Sequence, residues 1–146
     1  MTTPDPDLQP PSAEAAEAAF YQAFANRDAE AMQALWLNAP GVVCIHPLAA
    51  PLTGFNAVIA GWKSIFEGAG RFRVRPQAVA TLPGGDTVFH VVHEYLTLGD
   101  EPNSRPPILA TNAYRQTPQG WRMVLHHASP MPLEERQALS SGRRLH

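Results

Sequence analysis

Apolar and polar positions change rhythm along this chain. From Ser12 to about Asn26 an alanine-rich segment sets Phe20 and Phe24 four apart, the spacing of one helix face; Ser12 is placed to cap it and Glu14 suits the positive first turn. Asp28 opens a second, shorter helix whose apolar stripe is Met32, Leu35 and Trp36, so the two predict a helical hairpin. Gly41 to His46 is a β-branched run closed by Pro47, which reads as a short buried strand followed by an irregular loop through Pro51. Thr53 and Gly54 begin a third helix reaching about Glu67, with Val58, Trp62, Ile65 and Phe66 at helical spacing, and Gly68 and Gly70 end it.

Beyond that point strand composition takes over. Arg71 to Leu82, Thr87 to Leu98, Ile108 to Thr117 and Trp121 to Ser129 read as strands separated by turn residues. Pro83 to Asp86 and Thr117 to Gly120 are compact enough to join antiparallel neighbours, whereas Gly99 to Pro107 is a longer loop. Helices first and strands last predict an α+β domain, with helices packed on a curved antiparallel sheet.

The final hairpin can be read to individual side chains. Pairing Gln116 with Trp121 sets Tyr114 opposite Met123, Asn112 opposite Leu125 and Ala110 opposite His127, all on the more apolar face. That face is expected to meet the helices, with Arg115, Arg122 and His126 pointing away; a slip of one residue reverses every assignment. Thr87 to Leu98 differs, because Val88, Val92 and Leu96 alternate with Phe89, Val91 and Tyr95 and neither face is polar throughout. Its outer face is therefore expected to be buried in a homodimer, the alternative being a long loop folded over it.

With 146 residues, the chain is the size of one domain. Four of its fifteen prolines lie in the first eleven residues, which predicts a flexible tail over 1–11, a domain over 12–131, and an extension over 132–146 with room for a short helix before a frayed end. A formal charge of -2 gives no electrostatic reason to expect nucleic acid. No apolar run approaches the roughly 20 residues of a membrane span, and a cytoplasmic location is the expectation. The single cysteine, Cys44, lies among Val42, Val43 and Ile45 and reads as an inert buried thiol.

Three stretches carry a family resemblance. AAFYQAFANRDAEAMQALW over Ala18 to Trp36, VVCIHP over Val42 to Pro47, and ATNAYRQTPQGWRMVLHHASP over Ala110 to Pro130 resemble, in that order, the opening helices, first strand and final hairpin of SnoaL-like proteins in the nuclear transport factor 2-like superfamily. The resemblance covers roughly Ala13 to Pro130. It implies a cone in which helices close over a bent sheet around a largely apolar cavity, commonly in homodimers. It implies no single activity, since the fold serves isomerases, cyclases, dehydratases and non-catalytic binders.

Candidate chemistry follows from these placements. His46 ends a strand that the resemblance sets near the cavity, and Asn112 and His127 are read as sharing the inner face, where they could orient a carbonyl or hydroxyl group. Trp36, Trp62, Phe66 and Tyr114 are candidate wall residues, with plain core packing as the alternative. His126 and His127 are adjacent on a strand, and His90 and His93 are three apart, so neither pair can chelate; no metal site is expected. No cofactor is expected either, because glycine-rich nucleotide loops, the Gly-x-Ser-x-Gly elbow and Cys-x-x-Cys are all lacking.

Relatives of this fold that isomerise steroids or cyclise polyketides depend on a buried acid. Here all five aspartates fall in the tail, at a helix start or in turns, and alternation places Glu94 opposite Phe89, Val91 and His93. The expected function is binding of a small apolar or carbonyl-containing molecule, oriented by His46, Asn112 and His127. The alternative is a cofactor-free lyase, isomerase or cyclase using His46, His93 or His127 as general acid and base.

Overall fold

The computed structural model describes residues 8–68, 70, 72–100 and 106–131. Helix α1 spans Ala13–Asn26 and α2 spans Ala29–Leu35, each capped as its sequence predicts: the Ser12 hydroxyl accepts from Ala15 N and the Asp28 carboxylate from Ala31 N. Arg27 closes α1 in the left-handed conformation, its amide donating to Ala23 O and Phe24 O. Strands β1 (Val43–Ile45) and β2 (Leu52–Thr53) precede helix α3 (Phe55–Gly68); β2 falls where an irregular loop and then a helix start were expected. Four longer strands follow, β3 (Phe72–Gly84), β4 (Thr87–Leu98), β5 (Ile108–Thr117) and β6 (Gly120–Pro130). No described helix is long and apolar enough to cross a membrane.

The strands form one six-stranded sheet in the order β2-β1-β6-β5-β4-β3. It is mixed rather than wholly antiparallel, because β1 runs parallel to β6. Phe20, Phe24, Met32, Leu35, Val58 and Trp62 of the helices pack with Val92, Tyr114 and Met123 of the sheet into one core. The inner end of the expected tail is attached: Trp121 N donates to Pro10 O and Arg122 Nη1 to Gln9 O. Packed structure therefore begins a few residues before Ser12. Residues 1–7 and the expected extension over 132–146 lie outside the described residues.

The hairpin register is as expected at its turn and not beyond. Gln116 pairs with Trp121 and Tyr114 with Met123, but Ala113 pairs with Leu125, so Val124 is an extra residue on β6. From there every pair shifts: Asn112 faces His126, and Ala110 faces Ala128. This bulge sits where β6 changes neighbours. Leu37 N donates to Met123 O, Trp36 bridges to Met123, and β1 takes over from Leu125 onward.

The β4–β5 register completes the inner face. His90 pairs with Asn112 and Val92 with Ala110, which puts His90, Val92 and Glu94 on the same face as Asn112. Glu94 is thus inward and His93 outward, the reverse of the sequence reading. The reason is that β4 is apolar on both faces, so its pattern carries no direction; only its pairing with β5, joined to it by a long loop, supplies one.

Replacing Ser12 with alanine removes the acceptor for Ala15 N and should lower stability by about 1 kcal/mol in urea unfolding. Ser12→Asp, which keeps an acceptor, should restore it.

Candidate functional site

The inner face of β4, β5 and β6 carries Glu94, Asn112 and His126 beneath Tyr21 of α1. Glu17 and Tyr21 lie four apart, hence on one helix face, and both turn toward the sheet. A chain of hydrogen bonds results. His126 Nδ1 lies 2.6 Å from Asn112 Oδ1, Asn112 Nδ2 donates to Tyr21 Oη at 2.9 Å, and Tyr21 Oη donates to Glu94 Oε2 at 2.7 Å. Glu17 flanks it, with one oxygen 3.4 Å from both Asn112 Nδ2 and Tyr114 Oη. His90 Nδ1 approaches the same oxygen at 3.1 Å but is not aligned as a hydrogen bond.

Asn112 is 0% exposed, His126 1% and Glu94 2%. Desolvation dominates their titration. Burial pushes the Glu94 carboxyl up to about 7, with the Tyr21 hydrogen bond opposing the rise and the Glu17 charge adding to it. Burial pushes His126 down to about 3, helped by His46 and His127, so it is a neutral imidazole. Burial also raises the hydroxyls of Tyr21 and Tyr114, each aided by neighbouring carboxylates.

Around His126 the aromatic rings close tightly. Phe20 lies 5.1 Å away between centroids, Trp62 5.6 Å and His46 6.2 Å. His46 stacks edge-on against Trp62 at 4.7 Å, and its Nε2 lies 3.5 Å from Cys44 Sγ. Burial lowers the His46 pKa and raises the Cys44 thiol to about 12, so Cys44 stays protonated. Of the groups around His126, His46 alone is half-buried among its ring neighbours, which makes it the edge nearest solvent. A Cβ on Gly61 would collide with the end of Leu52 and only touch His46 Nε2 at 3.8 Å, so the bare glycine leaves room for Leu52.

The sequence-predicted residues divide into three groups. Asn112 sits at the centre of the cluster, and His46, Trp62 and Phe66 border it, with Phe66 5.7 Å from Trp62. Tyr114 joins through Glu17, beside His90. Trp36 is elsewhere, on a groove of about 830 Å³ with Phe55, Asn38 and Arg122. His127 and His93 both lie on the outer face, His127 exposed and His93 against Tyr95, so neither candidate base points inward. The Val124 bulge exchanged His127 for His126. Asn112 and Tyr114 are fully buried, each at 0% exposure. Tyr21, Glu17, Glu94 and His126 were missed. The Glu17–Tyr21 helical spacing was visible in the sequence, whereas Glu94 and His126 depended on sheet register.

Comparisons with known proteins agree with this architecture. Residues 13–134 match the SnoaL-like domain model, and the chain belongs to that family. It is 54% identical to a Thiobacillus denitrificans protein of known structure, proposed in its name to be a calcium/calmodulin-dependent protein kinase type II association domain. That match covers 88% of this chain and 100% of the other with a TM-score of 0.81. A Streptomyces avermitilis structure from the NTF2-like family, named as a candidate dehydratase, is 31% identical over 80% of this chain and 91% of its own, with a TM-score of 0.72. Among curated proteins, F-box protein SKIP8 of Arabidopsis thaliana is 30% identical over 120 residues, 82% of this chain. The chain spans about half the length of that relative, 50%.

Glu94 opposes His126 and His46 in stability. Glu94 holds its proton in the folded state while the unfolded chain ionises near 4.5, so stability falls by on the order of 3 kcal/mol as pH rises from there to about 7. His126 is neutral when folded and protonates near 6.5 when unfolded, so its contribution is lost as pH falls from 6.5 toward about 3. Between pH 4.5 and 6.5 the slopes cancel. With His46, also lowered by burial, adding a rise of its own, urea unfolding should rise only shallowly with pH across that window for the native chain and steeply for Glu94→Gln. Parallel profiles for the two would show that Glu94 titrates as it does in water.

Proposed function

We propose that this domain binds a small, largely apolar molecule over the inner cluster, entering past His46, with Asn112 and His126 orienting its polar group. One observation carries the reading: four polar side chains, Tyr21, Glu94, Asn112 and His126, are joined in a single buried chain. Burying a carboxyl group and three further polar groups costs more than filling the same volume with hydrocarbon, and a core needed for shape alone has no use for them. Entry requires the His46 and Leu52 side chains to turn aside. Native mass spectrometry of gently purified protein should show a bound compound, and its return to stripped protein should change Trp62 emission. His126→Phe, which keeps a ring in place, should weaken that response at least tenfold. Protein free of any compound, with Trp62 indifferent to cyclic alcohols and ketones, would sink the reading.

A second reading, acid–base chemistry on the bound molecule, is favoured by Glu94. A carboxyl group with a pKa of about 7 can both take and return a proton near neutrality. Glu94 would remove a proton from carbon next to a carbonyl, the electron pair moving to the carbonyl oxygen, and then give the proton back. The relative named as a candidate dehydratase supports this class of chemistry. In deuterated water the protein should exchange the α-hydrogens of cyclohexanone, with a rate rising through an apparent pKa near 7. Glu94→Gln should slow exchange at least a hundredfold while leaving the fold intact. Equal exchange by both proteins removes the catalytic reading and leaves binding untouched.

We also infer that the outer sheet face is covered by a second copy of the chain. Val43, Phe89, Ala113 and Leu125 line an apolar groove of about 300 Å³ there, rimmed by Arg115, and Phe89 is 37% exposed. The relative named as an association domain supports an assembling role. Size-exclusion chromatography with light scattering at micromolar concentration should give a dimer, and Phe89→Glu a folded monomer. A native monomer would refute this.

A further inference from the structure

The hydrogen-bond chain has a direction, and the direction sets what His126 can offer a ligand. Tyr21 has one hydroxyl proton, and its nearest strong acceptor is the Glu94 carboxyl group, 2.7 Å away. With Tyr21 donating to Glu94, its oxygen accepts from Asn112, whose NH2 group faces it at 2.9 Å. Glu17 reinforces this orientation: its carboxylate oxygen lies 3.4 Å from the same NH2 group, and a flipped amide would turn one oxygen toward another. Asn112 Oδ1 consequently faces His126 Nδ1 at 2.6 Å, and an acceptor at that distance requires Nδ1 to carry the proton. The low pKa of His126 is consistent with a single ring proton.

From this polarity we infer that His126 presents an unprotonated Nε2 to the site, so the ligand is recognised by a hydroxyl or N–H that donates to it, and a group that only accepts is bound at least tenfold more weakly. The inference rests on the binding reading above and narrows it to alcohols, phenols and enols. A ketone or ether oxygen would meet a lone pair with a lone pair, which leaves both desolvated acceptors without a partner. An enol would satisfy Nε2 where its keto form does not, so the same polarity favours the enolic form of a carbonyl compound. Of the three rings beside His126, Phe20 and Trp62 are buried and His46 is half-buried, so a ligand would come in past His46.

The test uses the unaltered chain. Long-range nitrogen–proton correlation spectra of 15N-histidine-labelled protein at pH 7 should show His126 as the Nδ1–H tautomer. Titration with 2-naphthol should then shift the His126 Nε2 resonance, and 2-methoxynaphthalene, of nearly the same shape without the O–H, should bind at least tenfold more weakly. An Nε2–H tautomer, or equal affinity for the two compounds, overturns this inference while leaving the binding site in place. Failure of both compounds to perturb His126 or Trp62 overturns the site itself, and this inference with it.

Discussion

The Asn112 amide is the joint on which the inner structure depends. Its oxygen holds His126 of β6 and its NH2 group holds Tyr21 of α1, which in turn holds Glu94 of β4. Three strands and the first helix are tied through one fully buried side chain. Because no water reaches it, each bond must be made by protein, and a broken link leaves a desolvated polar atom costing about 1–3 kcal/mol. The packing of Phe20 and Trp62 around His126 excludes that water. Hydrophobic closure and polar connection are thus mutually dependent.

The same closure determines the chemistry. Low polarity neutralises the histidine and raises the carboxyl group toward neutrality within a single connected cluster. A cluster of this kind is costly in a core and useful in a site. The SnoaL-like fold supplies the scaffold on which these side chains are set.

The two faces of the sheet differ in composition. Inward, β4 contributes His90, Val92 and Glu94; outward, it contributes Phe89, Val91, His93 and Tyr95. On β4 the outward side includes the partly exposed Phe89, while the inward side carries the buried His90 and Glu94. This inversion of the usual arrangement misdirected the reading of β4, since hydrophobicity ordinarily marks the face that meets the helices.

Local pattern determined the elements of this protein. The caps at Ser12 and Asp28, the helical spacing of Phe20 with Phe24 and of Val58 with Trp62, the turn at Thr117 to Gly120 and the strand limits Thr87 to Leu98 all rest on short-range rules, and all appear in the structure. So did the inward placement of Asn112. What tertiary structure decided was parity. One extra residue at Val124, where β6 passes from the Trp36 segment to β1, moved His126 inward and His127 outward. Pairing across the long loop between β4 and β5 moved Glu94 inward. Side-chain direction along a strand has a period of two, so a single long-range choice of register reverses every residue beyond it, and no local pattern encodes that choice.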